Sequence, residues 1–225
     1  MASPRRARAK SPRLPKKRPG PAGGKRDLNR RENQQRLLDA ALGLMLAHGT
    51  AAVTIDQIVE KAAMAKGSFY RYAADKEDVV EQILAPVIGE VTAALDRCEH
   101  QLRTGRPEDI AAIYLVLARE LSQVVARYAT RVLLYLQEAR APQRAAPPAI
   151  QQLADTLTSR TIALTEIARD HGLIRAVDPQ ISALTVLGAI DAILFANLRQ
   201  RRAPNAAPPQ VIAELVDIVL RGIRG

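Results

Sequence analysis

Hydrophobic residues recur every three to four positions along the chain after about residue 28, which predicts a protein built from helices. The first such stripe consists of Leu37, Leu38, Ala41, Leu42, Met45 and Leu46. It predicts a helix over 28–48 that ends at Gly49, because glycine readily adopts the left-handed conformation after a helix. The sequence contains no convincing alternating strand pattern and no repeat of fixed period.

Three short helices are predicted next. Thr54 and Gln57 have the spacing of a capping box at the start of a helix over 55–62. A tight connection at 63–65 leads to a helix over 66–73. Asp75 is a suitable N-cap for a fourth helix, which we expect to end at Pro86 because proline lacks the backbone N–H.

Proline, glycine and polar residues divide the remainder into further predicted helices, at 87–102, 108–126, 129–139, 149–171, 180–198 and 210–221. The expected fold is therefore all-α. The predicted domains are a disordered basic arm at 1–27, a helix-turn-helix domain at 28–84 and a helical domain at 85–225.

Positive charge is concentrated at the N-terminus. The formal net charge is +10, and residues 1–26 contain ten Lys and Arg and no acid, so the rest of the chain is neutral. This segment has five prolines and only one large apolar residue, Leu14, so it is predicted to be disordered. It is either a solubilising extension or a nucleic-acid arm whose charges displace counterions from phosphates.

Several classes of protein are excluded by the sequence. One cysteine, Cys98, forms no intrachain disulfide, and the three histidines lack metal-ligand spacing. We find no nucleophile–base pattern or phosphate loop, so we expect neither an enzyme nor a cofactor. No apolar run approaches the about 18 residues of a membrane span. We therefore expect a soluble, cytoplasmic, nucleoid-associated protein without a membrane partner. The large excess of Arg over Lys is typical of a GC-rich genome and fits a bacterial source.

Residues 54–73 have the pattern of a helix-turn-helix, in which the second helix enters the major groove of DNA. Lys66, Gly67 and Ser68 supply small residues, a charge and a hydroxyl at the start of that helix. Phe69 is expected to face the core, and Tyr70 and Arg71 to face DNA. Partial burial is the alternative for the two tyrosines of this segment.

Residues 30–84 resemble the N-terminal DNA-binding domain of TetR-type transcriptional repressors. The matching strings are TIDQIVEKAAMAKGSFYRY at 54–72 and DKEDV at 75–79. The resemblance implies that 66–73 is the recognition helix and that Thr54, Tyr72 and Lys76 contact phosphate. For Arg26, Arg30 and Arg31, near the start of the first helix, phosphate contact competes with a simply solvated helix face.

The chain departs from the family pattern at three alanines. Ala63 stands where the turn normally has glycine, and a positive φ at alanine costs about 1 kcal/mol. Ala65 replaces the usual Ser or Thr N-cap, which costs a further ~1 kcal/mol. Ala73 replaces an aromatic residue. We therefore expect the same fold with a less stable DNA-binding domain.

The resemblance further implies that the C-terminal domain binds a small molecule and forms a homodimer through the last two helices, although both could be internal core helices. Candidate ligand residues, which could equally be surface or core, are Tyr114, Gln123, Arg131, Tyr135 and Glu138. Cys98 is either an inert buried thiol or a redox sensor.

The function expected from these features is a ligand-responsive repressor that binds an inverted-repeat operator as a dimer. The alternative is a sequence-tolerant, nucleoid-type protein whose DNA affinity comes mainly from the arm.

Deletion of residues 1–26 tests the arm. We expect the affinity for both operator and random DNA at low salt to fall at least about tenfold, because ten positive charges are removed. Fluorescence anisotropy of labelled duplexes measures both affinities. Unchanged affinities would contradict the nucleic-acid arm and support the interpretation of this segment as a solubilising extension.

Overall fold

The computed structural model describes residues 24–140 and 146–200 together with positions 214 and 218, and all regular secondary structure in this part of the chain is helical. The expected all-α class is therefore confirmed. The helices are α1 (Lys25–His48), α2 (Ile55–Lys61), α3 (Lys66–Phe69), α4 (Lys76–Thr104), α5 (Ile110–Arg127), α6 (Ala129–Glu138), α7 (Pro148–Asp170) and α8 (Pro179–Gln200), with a 3₁₀ turn at Pro107–Asp109.

The chain divides into two compact units between Gln35 and Arg36, within α1. In the first unit, α1 begins at Lys25, three residues before the predicted start, so the last residues of the predicted arm are helical. Asp27 lies in the first turn, where a negative charge is favoured, and its carboxylate pairs with Arg31 at 3.0 Å. Residues 1–23 of the arm lie outside the described residues.

In the second unit, residues 36–84, here called the head, contain the rest of α1, α2, α3 and the start of α4. Its largest fully buried side chains are Leu37, Met45, Ile58, Phe69, Ile83 and Leu84. Gly49 follows α1 with φ +81°, as predicted. The capping box is present too, because Gln57 Oε1 accepts from the Thr54 N–H at 2.8 Å while Thr54 Oγ1 accepts from the Gln57 N–H at 3.3 Å.

The turn before α3 has the strain that its sequence predicts. Ala63 has φ +51°, the left-handed conformation for which glycine is suited, and Ala65 makes no side-chain cap. The predicted helix over 66–73 is too long, since α3 ends at Phe69. After α3 the backbone forms hydrogen bonds of the 3₁₀ type, because the N–H groups of Arg71 and Tyr72 each donate to the carbonyl oxygen three residues earlier.

Pro86 does not end the fourth helix, contrary to the sequence prediction. α4 begins with Asp75 as its N-cap, as predicted, and continues through Pro86 to Thr104. The proline removes one backbone hydrogen bond. However, Ile83, Leu84 and Val87 around it are all buried, and this packing keeps the helix continuous. α4 therefore crosses the predicted domain boundary at residue 84 without a break.

Residues 85–200, here called the body, contain the rest of α4 together with α5–α8. One apolar cluster extends from the head to α6 and α8, and a second joins the C-terminal half of α4 to α5 and α7 through Leu95, Leu102, Ile110 and Leu164. The helix ends agree with prediction to within two residues, and Asp178 caps α8 by accepting from the Ile181 N–H at 2.9 Å. The predicted helix over 210–221 lies outside the described residues except Glu214 and Ile218, both helical.

The expectation that no segment has the length and composition of a membrane span is wrong. The segment Pro179–Arg199 in α8 has the length and the apolar composition of a membrane-spanning helix. Asp191 and Asn197 are its polar exceptions. Only 17% of its most apolar window is buried within the chain. The same length and composition suit a helix that packs against another protein chain.

The Ala63→Gly variant tests the strained turn. We expect its free energy of unfolding to rise by about 1 kcal/mol, because glycine adopts positive φ at no steric cost and Ala63 is exposed, so no packing is lost. Urea denaturation measures the change. Ala62→Gly is the control. Because Ala62 is buried with φ −77°, its replacement by glycine should destabilise the protein. Equal effects of the two substitutions would contradict the prediction.

Candidate nucleic-acid interface

The surface around α3 is organised by one buried aromatic residue. Phe69 is fully buried between the head helices, whereas Tyr70, the next residue, is 58% exposed. The two rings meet edge to face with their centroids 5.3 Å apart. Because Phe69 holds the segment against the core, Lys66, Tyr70 and Arg71 are presented to solvent, as the sequence predicts.

Gly67 leaves open space above the backbone of α3. A Cβ atom added there would meet no other atom within 4 Å, so the packing of this chain does not require a glycine. Within a helix, glycine is less favourable than alanine by about 0.5–1 kcal/mol. The glycine therefore costs stability and exposes backbone for close approach from outside the chain.

The exposed polar residues of α3 have partners that another molecule could replace. Lys66 Nζ lies 2.7 Å from Asp56 Oδ1, and the hydrogen bond to this carboxylate raises the pKa of Lys66. Arg71 Nη2 donates to Ser68 Oγ at 2.6 Å. Exposed pairs of this kind contribute little to stability, so their charges remain available to bind an anion.

The two tyrosines of the segment differ in exposure. Tyr72 is half-buried against the apolar cluster of the head, whereas Tyr70 is exposed. The alternative of partial burial is therefore correct for Tyr72 and wrong for Tyr70. Thr54, predicted to contact phosphate, is exposed at the start of α2, with its hydroxyl engaged in the capping box.

Lys76 makes an internal contact that sequence reasoning missed. Its Nζ donates to the carbonyl oxygens of Thr50 at 2.7 Å and Val53 at 3.0 Å, with Ala51 at 3.3 Å. These bonds join the first residue of α4 to the loop after α1. A phosphate at Lys76 would have to share or replace these carbonyl contacts.

The candidate ligand residues lie in different surroundings. Tyr114 packs against the body cluster that contains Cys98, Tyr135 lies in the other apolar cluster, and Gln123 is exposed. Arg131 donates to the Ile83 carbonyl at 3.0 Å. Glu138 is buried and accepts hydrogen bonds from Thr50, a contact between residues 88 positions apart that no local sequence signal indicates.

Two buried side chains of the body, Cys98 and Tyr135, have raised pKa values. Burial raises the pKa of the Cys98 thiol to about 12, which favours the inert-thiol interpretation. Burial likewise raises the pKa of Tyr135 to about 12. In the described ranges no group of three or more His, Cys, Asp and Glu side chains could hold a metal ion.

Arg26, Arg30 and Arg31 are exposed on the first turns of α1. Arg31 pairs with Asp27 one helical turn away, at 3.0 Å. The structure thus presents all three guanidinium groups to solvent.

The Lys76→Met variant tests the internal role of Lys76. Loss of charge-assisted hydrogen bonds to the loop carbonyls should lower the free energy of unfolding by about 1–2 kcal/mol, measured by urea denaturation. Lys61→Met, at an exposed position of α2, is the matched control and should change it by less than about 0.5 kcal/mol. An equally small effect at Lys76 would refute this role.

Known proteins share both the local sequence and the fold. The family model described as "Bacterial regulatory proteins, tetR family" matches residues 37–83. The transcriptional regulator SrpR of Pseudomonas putida is 39% identical over 54 residues, which are 24% of this chain and 25% of SrpR. The chain thus spans about a quarter of the length of this relative.

Solved structures extend the likeness to most of the chain. The ketosteroid regulator KstR2 of Mycobacterium tuberculosis aligns over 85% of this chain and 95% of its own, with TM-score 0.63 and 21% identity. The SmeT–triclosan complex aligns over 86% of this chain and 92% of its own, with TM-score 0.58 and 20% identity. The TM-scores and the coverage of these alignments establish a shared fold. Residues 37–83 therefore match the DNA-binding domain of the tetR family of bacterial regulatory proteins, and the chain as a whole shares the fold of these regulators.

Proposed function

We propose that this protein is a DNA-binding transcriptional regulator, a repressor that binds an inverted-repeat operator as a homodimer and leaves it when a small-molecule effector binds. The observation that carries the proposal is the surface of α3. A positively charged, tyrosine-bearing segment is anchored by Phe69 and has open backbone at Gly67.

The chemistry of this surface suits the major groove, which is about 12 Å wide and admits a helix. Gly67 allows the backbone to approach the DNA. Lys66 and Arg71 exchange their weak internal partners for phosphates or base edges, and Tyr70 offers a ring and a hydroxyl. Contacts from Ser68, Thr54, Tyr72 and Lys76 to the DNA backbone complete the proposed interface.

Homodimerisation is proposed through α8 and the predicted last helix. Ile181 is 67% exposed and Leu184 is 52% exposed on an apolar helix. Gly188, Ala192 and Ala196 continue the same exposed face at four-residue spacing, so a second helix could approach closely. Ile218, in the predicted last helix, is also 67% exposed. A two-fold dimer would present two recognition helices to successive turns of DNA.

An effector is proposed to bind in the body, where Tyr114 and Tyr135 provide hydroxyls beside apolar side chains. Among proteins of the same fold, SmeT of Stenotrophomonas maltophilia is the repressor of a multidrug efflux pump, and one structure of SmeT contains triclosan. These properties of SmeT support a small effector and a repressor role for the present protein. Such a protein acts in the cytoplasm, on chromosomal DNA.

The basic arm at 1–27 is proposed to add sequence-independent affinity through counterion release, with Arg26, Arg30 and Arg31 extending it along α1. If the arm dominated binding, the protein would instead be a sequence-tolerant nucleoid component.

Selection of bound genomic fragments by the full-length protein at physiological salt tests the proposal. We expect the fragments to share an inverted repeat and sedimentation to give two chains per repeat. A footprint without dyad symmetry, or equal affinity for operator and random DNA, would overturn it and favour the nucleoid alternative.

The Gly67→Ala variant tests the α3 surface directly. We expect at least a tenfold loss of operator affinity, because the added methyl group would lie between the α3 backbone and DNA, with stability maintained or raised by about 0.5–1 kcal/mol. Gly89→Ala is the matched control, since Gly89 lies in α4 with equally open space. It should give the same stability gain with unchanged affinity in gel-shift titrations, and equal affinities for both variants would argue against DNA contact at α3.

A further inference from the structure

A buried carboxylate connects the body to the head. Glu138, the last residue of α6, is only 7% exposed. Its Oε1 accepts from the Thr50 N–H at 2.9 Å and its Oε2 accepts from Thr50 Oγ1 at 2.6 Å. Thr50 lies in the loop after α1, so both oxygens of a body residue are used by a single residue of the head.

Thr50 also forms a hydrogen bond through its backbone carbonyl group. The Thr50 carbonyl accepts from Lys76 Nζ at 2.7 Å, and Lys76 is the first residue of α4, shortly after the recognition segment. Glu138, Thr50 and Lys76 therefore form one continuous hydrogen-bonded path, here called the tether. It links α6 to the head independently of the covalent path along α4.

The position of Glu138 is unfavourable for the helix that carries it. A carboxylate at the C-terminal end of a helix faces the negative end of the helix dipole. No ion pair involving Glu138 occurs in the part of the chain that the structure describes. Two donors from Thr50 thus stabilise a buried charge, and both are lost together if Thr50 moves away.

The surroundings leave room for movement. A cleft of about 170 Å³ borders the tether, lined by Thr50, Ala51, Lys76, Glu77 and Val80 of the head and by Ala146 and Pro147 just before α7. On the body side, α6 packs against α4, α5 and α8. A shift in any of these helices would therefore reach Glu138.

We propose that Glu138 is a positioning residue for DNA binding. By holding Thr50, it sets the orientation of the head on the body, and loss of this contact lowers the preference for operator over random DNA. The inference rests on the proposed function, because it requires the head to bind a specific DNA site.

Three substitutions in the full-length protein isolate the tether. Glu138→Gln removes the charge and one acceptor while keeping the shape of the side chain. Thr50→Val removes the hydroxyl donor, whereas Thr50→Ser keeps both donors and should behave as the wild type. Glu120→Gln is the matched control, because both carboxylate oxygens of Glu120 accept from Arg97 in an exposed contact within the body.

The first readout is amide hydrogen exchange at Thr50, which requires no DNA. We expect Glu138→Gln to accelerate it at least tenfold, while amides of the buried α2 and α3 residues Ile58 and Phe69 keep their protection. A purely structural role would instead accelerate exchange throughout the head. Exchange at Thr50 as slow as in the wild type would overturn the tether.

The second readout is the ratio of operator to random-DNA affinity. We expect Glu138→Gln and Thr50→Val each to lower it about tenfold, because only the operator requires both heads in one orientation, and the double variant to lose no more than either single variant. Thr50→Ser and Glu120→Gln should keep the wild-type ratio. An unchanged ratio in Glu138→Gln and Thr50→Val overturns the inference, whereas a wild-type protein that does not discriminate operator from random DNA overturns the proposed function itself.

Discussion

The burial of Phe69 is the constraint on which the DNA-binding surface depends. α3 has four residues, far fewer than a helix needs to be stable alone in water. Its position is therefore set by the burial of Phe69 in the apolar cluster that also contains Leu37, Met45 and Ile58. The exposed residues on either side of Phe69 acquire a defined direction only because this side chain is fully buried.

The junction between head and body combines an apolar core with a small number of polar contacts. α4 runs through Pro86 without interruption, and one apolar cluster continues from the head into α6 and α8. At the same junction, the hydrogen bonds between Glu138 and Thr50 add a directional contact to the non-directional apolar packing. Apolar packing supplies most of the stabilisation, whereas a buried polar contact favours one particular arrangement.

Features that depend on neighbouring residues were predicted correctly from the sequence. The capping box at Thr54, the N-cap at Asp75 and the left-handed Gly49 each require only a few adjacent residues. Features that depend on residues far apart in the chain were not predicted. The continuation of α4 past Pro86, the carbonyl contacts of Lys76 and the burial of Glu138 all result from packing between segments far apart in the chain.

The sequence by itself determined the all-α class, the helix-turn-helix with its exposed Lys66, Tyr70 and Arg71, and the strained turn at Ala63, because periodicity and backbone preferences are local properties. Tertiary structure alone decided that Tyr72 is half-buried while Tyr70 is exposed, and that Glu138, a candidate ligand residue by sequence, instead holds Thr50. The physical reason is that burial and hydrogen-bond partners depend on which surfaces meet in the folded chain.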